Sequence, residues 1–303
     1  MAITANQVKE LREITGAGMM DCKNVLVETG GDIDNAIKLL REKGLAKAAK
    51  KAGRIAAQGI IKINFAADGK SASIIEVNSE TDFVAKNEEF LEFVGKLADL
   101  ALEKEIDGID AFMGNPYGSE GSVQDALNNK IARIGENMNV RRFARFAGPG
   151  CVYAGYTHGG GTIGVVVGFK TDASLEEIME MGKDVAMQIA SMSPKFIKES
   201  DVDPEYIENE KKIMTQQVLN EGKAPDMVEK IVNGKIKKEI KEVCLIEQKF
   251  VKNNDMTVKQ YIDSVAKEIG KPIEAVSMIR YEVGEGIEKK EENFAEEVAK
   301  QMA

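Results

Sequence analysis

One stretch holds most of the chemistry this sequence offers: Glu76-Val77-Asn78-Ser79-Glu80-Thr81-Asp82-Phe83-Val84-Ala85-Lys86. A strand pattern runs up to Val77 and a helical pattern begins near Glu88, so a short connection must join them. That connection carries an acid, a large aromatic ring and a β-branched residue. Phe83 has no apolar partner at a helical or strand spacing inside it. Two readings stay open. The ring tucks beneath the sheet as a loop anchor, or it is displayed to a partner, as residues on loops held by rigid elements often are.

The rest of the catalytic inventory is thin. His158 is the single histidine, which excludes a two-histidine metal site, and no CxxC pair offers zinc a ligand set. A Cys–His or Ser–His unit is formally open, yet no G-x-S-x-G motif supports one. Carboxylates are abundant, but sequence alone cannot pair them across a cleft. Gly159 to Gly164 spells G-x-G-x-x-G. A dinucleotide fingerprint needs a helix N-terminus after the glycines, and Val165, Val166 and Val167 continue a strand instead. These glycines read as a tight hairpin. Two basic clusters stand out. Lys47, Lys50, Lys51 and Arg54 form either a solvated helix or linker face or a binding patch. Arg141, Arg142 and Arg145 read either as charged guards on an edge strand or as a contact for RNA. Neither cluster is interleaved with aromatics as a single-strand platform would be.

Composition sets the limits. With 303 residues, 43% hydrophobic and 30% charged, the chain suits a soluble protein of two or more compact units. A net charge of −9 disfavours general nucleic-acid binding, which draws on neutralised phosphates. The N-terminus lacks the pattern of a signal peptide, and no apolar run is long enough to span a bilayer. Cys22, Cys151 and Cys244 are odd in number and far apart, which suits a reducing, cytoplasmic setting.

The elements that must position these residues follow from periodicity. Thr4 to Gln7 has the form of a capping box before a helix bearing Val8 and Leu11. Gly16 and Gly18 break it, and a second helix from Met19 carries Val25 and Leu26 to Gly30-Gly31. Asp32 caps a third, with Ile33, Ala36, Ile37 and Leu40 at helical spacing, Gly44 as its stop, and a basic, alanine-rich linker from Ala46 to Arg54. From Gly59 the period becomes two: Ile61, Ile63 and Phe65, a turn at Asp68-Gly69, then Ile75 and Val77 on one face of the return strand. A helix bears Phe90, Phe93, Val94 and Leu97. Gly114 to Gly118 is a loop, Val123 to Ile134 a helix and Val140 to Phe146 a strand. The order then recurs, displaced by about 90 residues: a strand at Tyr153–Tyr156, a turn at His158–Gly161, a strand at Ile163–Phe169, Thr171-Asp172, and a helix bearing Ile178, Val185 and Ile189. Ala173 stands where the first copy has Phe83, and a shared fold does not require the ring. Pro204 to Leu219, with Tyr206, Glu210, Ile213 and Gln217 on one stripe, and Asp226 to Val243 form a helical hairpin. It serves as an oligomer contact or a solvated arm. A helix at Thr257–Ile269, a strand at Ala275–Val283 and a helix at Asn293–Met302 complete the chain.

Glu76 to Lys86 is similar to a signature of the translation elongation factor Ts family, bacterial type. So are Leu11 to Lys23, Ile134-Gly135-Glu136-Asn137 with Arg141-Arg142, and Arg280 to Lys289. The resemblance spans essentially the whole chain, in order. It implies an α+β fold: a UBA-like three-helix domain with its linker (1–54), two repeated sheet-plus-helix subdomains (55–147 and 148–200), a helical hairpin or coiled coil (201–245), and the rest of the core with a C-terminal helical module (246–303). It implies a guanine-nucleotide exchange factor for elongation factor Tu, not an enzyme, with no cofactor or metal. Asp82 and Phe83 would meet the partner beside its magnesium and phosphate site, with Thr81 and Val84 also among the residues that bind it. Arg12, Met19 and Met20 match contacts to the GTPase domain, although the methionines would equally fill the bundle. Ile134 matches a contact but would serve as core. His158 matches a histidine facing another domain of the partner, or is a hairpin residue with no such role. Many relatives carry arginine where this chain has Thr162. The other classes considered are an enzyme using carboxylates or Cys/His, and an RNA-binding accessory protein using Arg141, Arg142 and Arg145.

Overall fold

A computed structural model describes residues 3–15 and 17–288, apart from the side chains of Pro225 and Asp226. The expected helix at Asn293–Met302 and the residue Gly16 lie outside the described residues. The chain is mixed α and β, with eleven α-helices and small sheets among the described residues. It divides into two compact units: Met1–Ile61, Ile75–Phe143 and Glu282–Ala303 in one, Lys62–Ile74 and Ala144–Tyr281 in the other.

The first unit begins with α1 (Ala5–Thr15), α2 (Met19–Glu28) and α3 (Ile33–Lys51). Val8, Leu11, Cys22, Val25, Leu26 and Ala36 form their shared core. The entry signals act as anticipated. Gln7 N–H donates to Thr4 Oγ1 at 3.3 Å and Thr4 N–H to Gln7 Oε1 at 3.0 Å, while Asp32 accepts from Asn35 N–H at 3.0 Å. The stop does not: α3 runs through Gly44 to Lys51. Ala46, Ala48 and Ala49 are strong helix formers, and Gly44 is buried in the helix interior beside Ala132 of a second helix.

β1 (Gln58–Phe65), β2 (Ala72–Ser79) and β3 (Met138–Phe146) make a sheet in that order. All eight residues of the middle strand β2 are buried, so Glu76 and Asn78 are as enclosed as Ile75 and Val77. After β2 come the single turn α4 (Asp82–Ala85), then α5 (Glu88–Glu103), α6 (Gly108–Met113) and α7 (Val123–Ile134). Ile75, Val77, Phe90, Phe93, Leu97, Phe112, Leu127 and Val140 share one core with Ala48 of α3. The six-residue α6 is too short to show a periodicity, yet it delivers Phe112 to full burial. Ser122 and Asp125 close a capping box on α7, and Gly135 ends it at φ 92°, a conformation that favours glycine.

In the second unit β4 (Cys151–His158) pairs antiparallel with β5 (Ile163–Thr171), register running from Cys151 opposite Lys170 to His158 opposite Ile163. Gly159, Gly160 and Gly161 all have positive φ in the turn between them, and Gly164 lies within β5, so the glycines make a hairpin. α8 (Leu175–Met192) packs on this pair. α9 (Pro204–Asn220) and α10 (Pro225–Val243) pack together through Val218, Val228, Val232 and Ile236, with Ile207 and Met214 beside them. The stripe expected on α9 is therefore rotated: Ile213 is exposed. Tyr206 instead sits edge-on to Phe196 and donates to Glu239 Oε1 at 2.8 Å. β6 (Lys249–Phe250), β7 (Asn253–Thr257), α11 (Val258–Ile269) and β8 (Ile273–Glu282) follow, with β8 bonded to β5.

Candidate functional site

The connection after β2 folds into one helical turn, and the side chains of α4 divide sharply. Thr81 is the N-cap in extended conformation, its Oγ1 accepting from Val84 N–H at 3.4 Å. The same hydroxyl donates to Glu136 Oε1 at 2.6 Å, and Thr81 N–H donates to Glu136 Oε2 at 3.0 Å. Asn87 caps the next helix by accepting from Phe90 N–H at 3.2 Å. Successive helical residues point about 100° apart, so with Val84 turned into the core of Phe90 and Val94, Phe83 turns out. It is 81% exposed. Val84 is thus the anchor of this connection, and the ring beside it is displayed. Asp82 pairs with Lys86 at 2.7 Å. The Lys86 ammonium holds the Asp82 carboxyl below its ordinary range, so this half-exposed group is anionic at neutral pH.

The other anticipated residues are spread over both units. In the first unit Arg12 is exposed in the last turn of α1. Met19 and Met20, at 58% and 64%, lie outside the bundle core rather than filling it. Ile14 and Val27, also apolar, are exposed as well. Ile134 is half-buried against the core at the end of α7. In the second unit His158 is exposed at the end of β4, its Nδ1 bonded with Tyr156 OH at 3.0 Å, and Thr162 Oγ1 donates to its carbonyl at 3.2 Å.

Residues 80–285 match the family model described as elongation factor TS. Over 300 residues the chain is 55% identical to "Elongation factor Ts" of Clostridioides difficile (strain 630), covering 99% of each sequence. Over 298 residues it is 52% identical to "Elongation factor Ts" of Clostridium perfringens (strain SM101 / Type A), covering 98% of each. The chain belongs to the elongation factor Ts family.

In this member of the elongation factor Ts family, the basic clusters are taken up by internal carboxylates and carbonyls. Glu76 is fully buried, and its oxygens accept from Arg141 Nη1 at 3.1 Å, Arg142 Nε at 2.6 Å, Asn78 Nδ2 at 3.0 Å and Gly284 N–H at 2.9 Å. Arg142 also pairs with Glu285 at 3.0 Å, and Arg141 Nη2 donates to the Glu285 carbonyl. Arg145 is half-buried. Lys47 pairs with Asp21 at 2.9 Å, Lys51 donates to the Gly135 carbonyl at 2.5 Å, and Arg54 lies 3.5 Å from Glu80. A nucleic-acid contact through Arg141 and Arg142 would have to break their pairs with the buried Glu76, so these two arginines are structural. Two of the three thiols, Cys22 and Cys244, are buried and unsuited to nucleophilic work. Burial pushes Cys22 up, and burial with nearby carboxylates pushes Cys244 up to about 11. Sequence reasoning missed Glu136 and Glu76. Their partners lie 55 and 66 residues away, and the only hint was that each sits in a family signature.

Proposed function

We propose that this protein is a guanine-nucleotide exchange factor that binds elongation factor Tu in its GDP form and speeds GDP loss, turning over no substrate and using no cofactor. The observation that carries this is the display of Phe83, 81% exposed on a turn held from beneath by Thr81 and Val84. A large ring on a fixed support is what an interface anchor requires. Exchange needs no nucleophile or proton shuttle. It needs a binder that prefers the emptied GTPase, because whatever factor GDP takes from that affinity, the binder takes from GDP.

The ring enters between two helices of the GTPase domain, beside its magnesium and phosphate site, and moves groups that hold Mg²⁺ and the β-phosphate. Asp82 brings its negative charge alongside. Arg12, Met19 and Met20 contact the same domain, with Ile134 adding a smaller surface, and His158 meets another domain of the partner. Val84 and Thr81 serve as the support. The hairpin's exposed Ile213, Leu219 and Met227 support a contact there with a second copy. The architecture around this site is read as a UBA-like domain (1–54), two related sheet-plus-helix subdomains, the hairpin and a C-terminal module, acting in the cytoplasm.

Burying a phenylalanine is worth about 1.5–3 kcal/mol, and about 1.4 kcal/mol is tenfold in rate. Phe83→Ala is therefore expected to slow release of fluorescent GDP from preloaded elongation factor Tu by roughly 10- to 150-fold. Release at the wild-type rate would remove Phe83 from the mechanism. Equal affinity for loaded and emptied GTPase would remove the exchange reading altogether.

A further inference from the structure

We infer that Glu136 is a positioning residue for the Asp82–Phe83 turn: its carboxylate fixes the direction in which the ring is presented. The consequence for exchange rests on the function proposed above; the geometry does not. A four-residue helix is a nucleus without propagation, and fixing its dihedrals yields few bonds. Its own bonds at the N-terminal end are long: Ala85 N–H to Thr81 O and Val84 N–H to Thr81 Oγ1 are both 3.4 Å, while Lys86 N–H to Phe83 O at 3.2 Å and Asn87 N–H to Val84 O at 2.9 Å close its C-terminal end. At that N-terminal end the short contacts come from outside: Ser79 Oγ donates to Thr81 O at 2.9 Å, and Thr81 donates to the two oxygens of Glu136 at 2.6 Å and 3.0 Å. Both bonds to Glu136 are charge-assisted. The hydroxyl accepts from Val84 N–H while it donates to Glu136, so the carboxylate also polarises the cap.

Glu136 is itself pinned on both sides. Gly135 closes α7 through its N–H to Ile131 O at 3.0 Å. Asn137 N–H donates to Glu80 Oε1 at 2.5 Å, and Asn137 Nδ2 to Arg54 O at 2.7 Å. The two loops thus exchange carboxylates, Glu80 to one and Glu136 to the other. Removing Glu136 leaves the N-terminal end of the turn to the Ser79 bond and the Val84 plug, and the rotation that the two-point carboxylate clamp forbids becomes accessible.

The test uses the full chain. In Glu136→Ala, amide hydrogen exchange across residues 80–87 is expected to quicken about tenfold or more, while residues 88–103 keep their protection. GDP release from elongation factor Tu slows about tenfold in the wild-type background and not further in the Phe83→Ala background. Glu136→Gln, which keeps one acceptor oxygen, recovers part of the rate. Unchanged protection of residues 80–87, or equal slowing in both backgrounds, would overturn the assignment. If Glu136→Ala does not fold, Thr81→Val, which removes only the hydroxyl bond, is read by the same two measurements. If Phe83→Ala alone releases GDP like wild type, the role of Phe83 fails, and the protection measurement still decides Glu136.

Discussion

Glu76→Gln removes one charge from the centre of the first unit while keeping the shape of the side chain. The carboxylate is fully buried, and the guanidiniums it faces, Arg141 and Arg142, are 25% and 29% exposed. Removing one partner of a buried pair costs about 3–5 kcal/mol. Solvent reaches the arginines here and Arg142 keeps Glu285 at 3.0 Å, so roughly 2–3 kcal/mol is expected. At about 2–4 °C per kcal/mol, the melting temperature at neutral pH should fall by about 5–10 °C. Burial pushes the Glu76 carboxyl up, but the Gly284 amide, Asn78 and Arg142 outweigh it and hold it below its ordinary 4.5. A depressed native value means the stabilisation is complete above the unfolded-state value and is lost as pH falls through the native one. The wild-type advantage should therefore be constant at neutral pH and shrink as pH falls below the ordinary 4.5 and through the lower native value. Thermal melts of both proteins across this range measure it. A variant melting within a degree of wild type at pH 7, or a gap that ignores pH, would refute the claim that Glu76 is held as a buried anion.

Further outcomes follow from other sites. Val84→Ala should lower stability by roughly 2–3 kcal/mol through lost burial and a residual cavity, and should slow GDP release as well, since the turn loses its plug. Gly135→Ala places a Cβ at φ 92° and should cost about 1–2 kcal/mol, readable by chemical denaturation. In a thiol titration at about pH 7.5 the half-buried Cys151 should react first, with Cys22 and Cys244 following only on unfolding because their thiols are buried. Simultaneous fast reaction of all three would contradict that burial.

The helices were legible because their signals are local. Thr4 and Asp32, read as caps, each cap the element they precede. What failed depended on distance or on a competing contact. Gly44 reads as a stop, yet it is a buried interior position of α3, whose alanine-rich second half carries the helix on to Lys51. Tyr206 reads as part of the α9 seam until Phe196 claims it. Sequence marked the Asp82–Phe83 stretch but could not decide whether Phe83 was a buried anchor or a displayed ring, since a single turn gives no periodicity. Arg141 and Arg142 looked like a surface patch because the carboxylate that consumes them is 65 and 66 residues earlier.

The division of labour inside α4 has an evolutionary corollary. Position 84 answers to the core and position 83 to solvent, so a lineage can retune its grip on a partner by changing a single codon while the scaffold's foldability stays under separate selection. The motif is modular in the engineer's sense: a tooth that can be filed or replaced without recutting the gear.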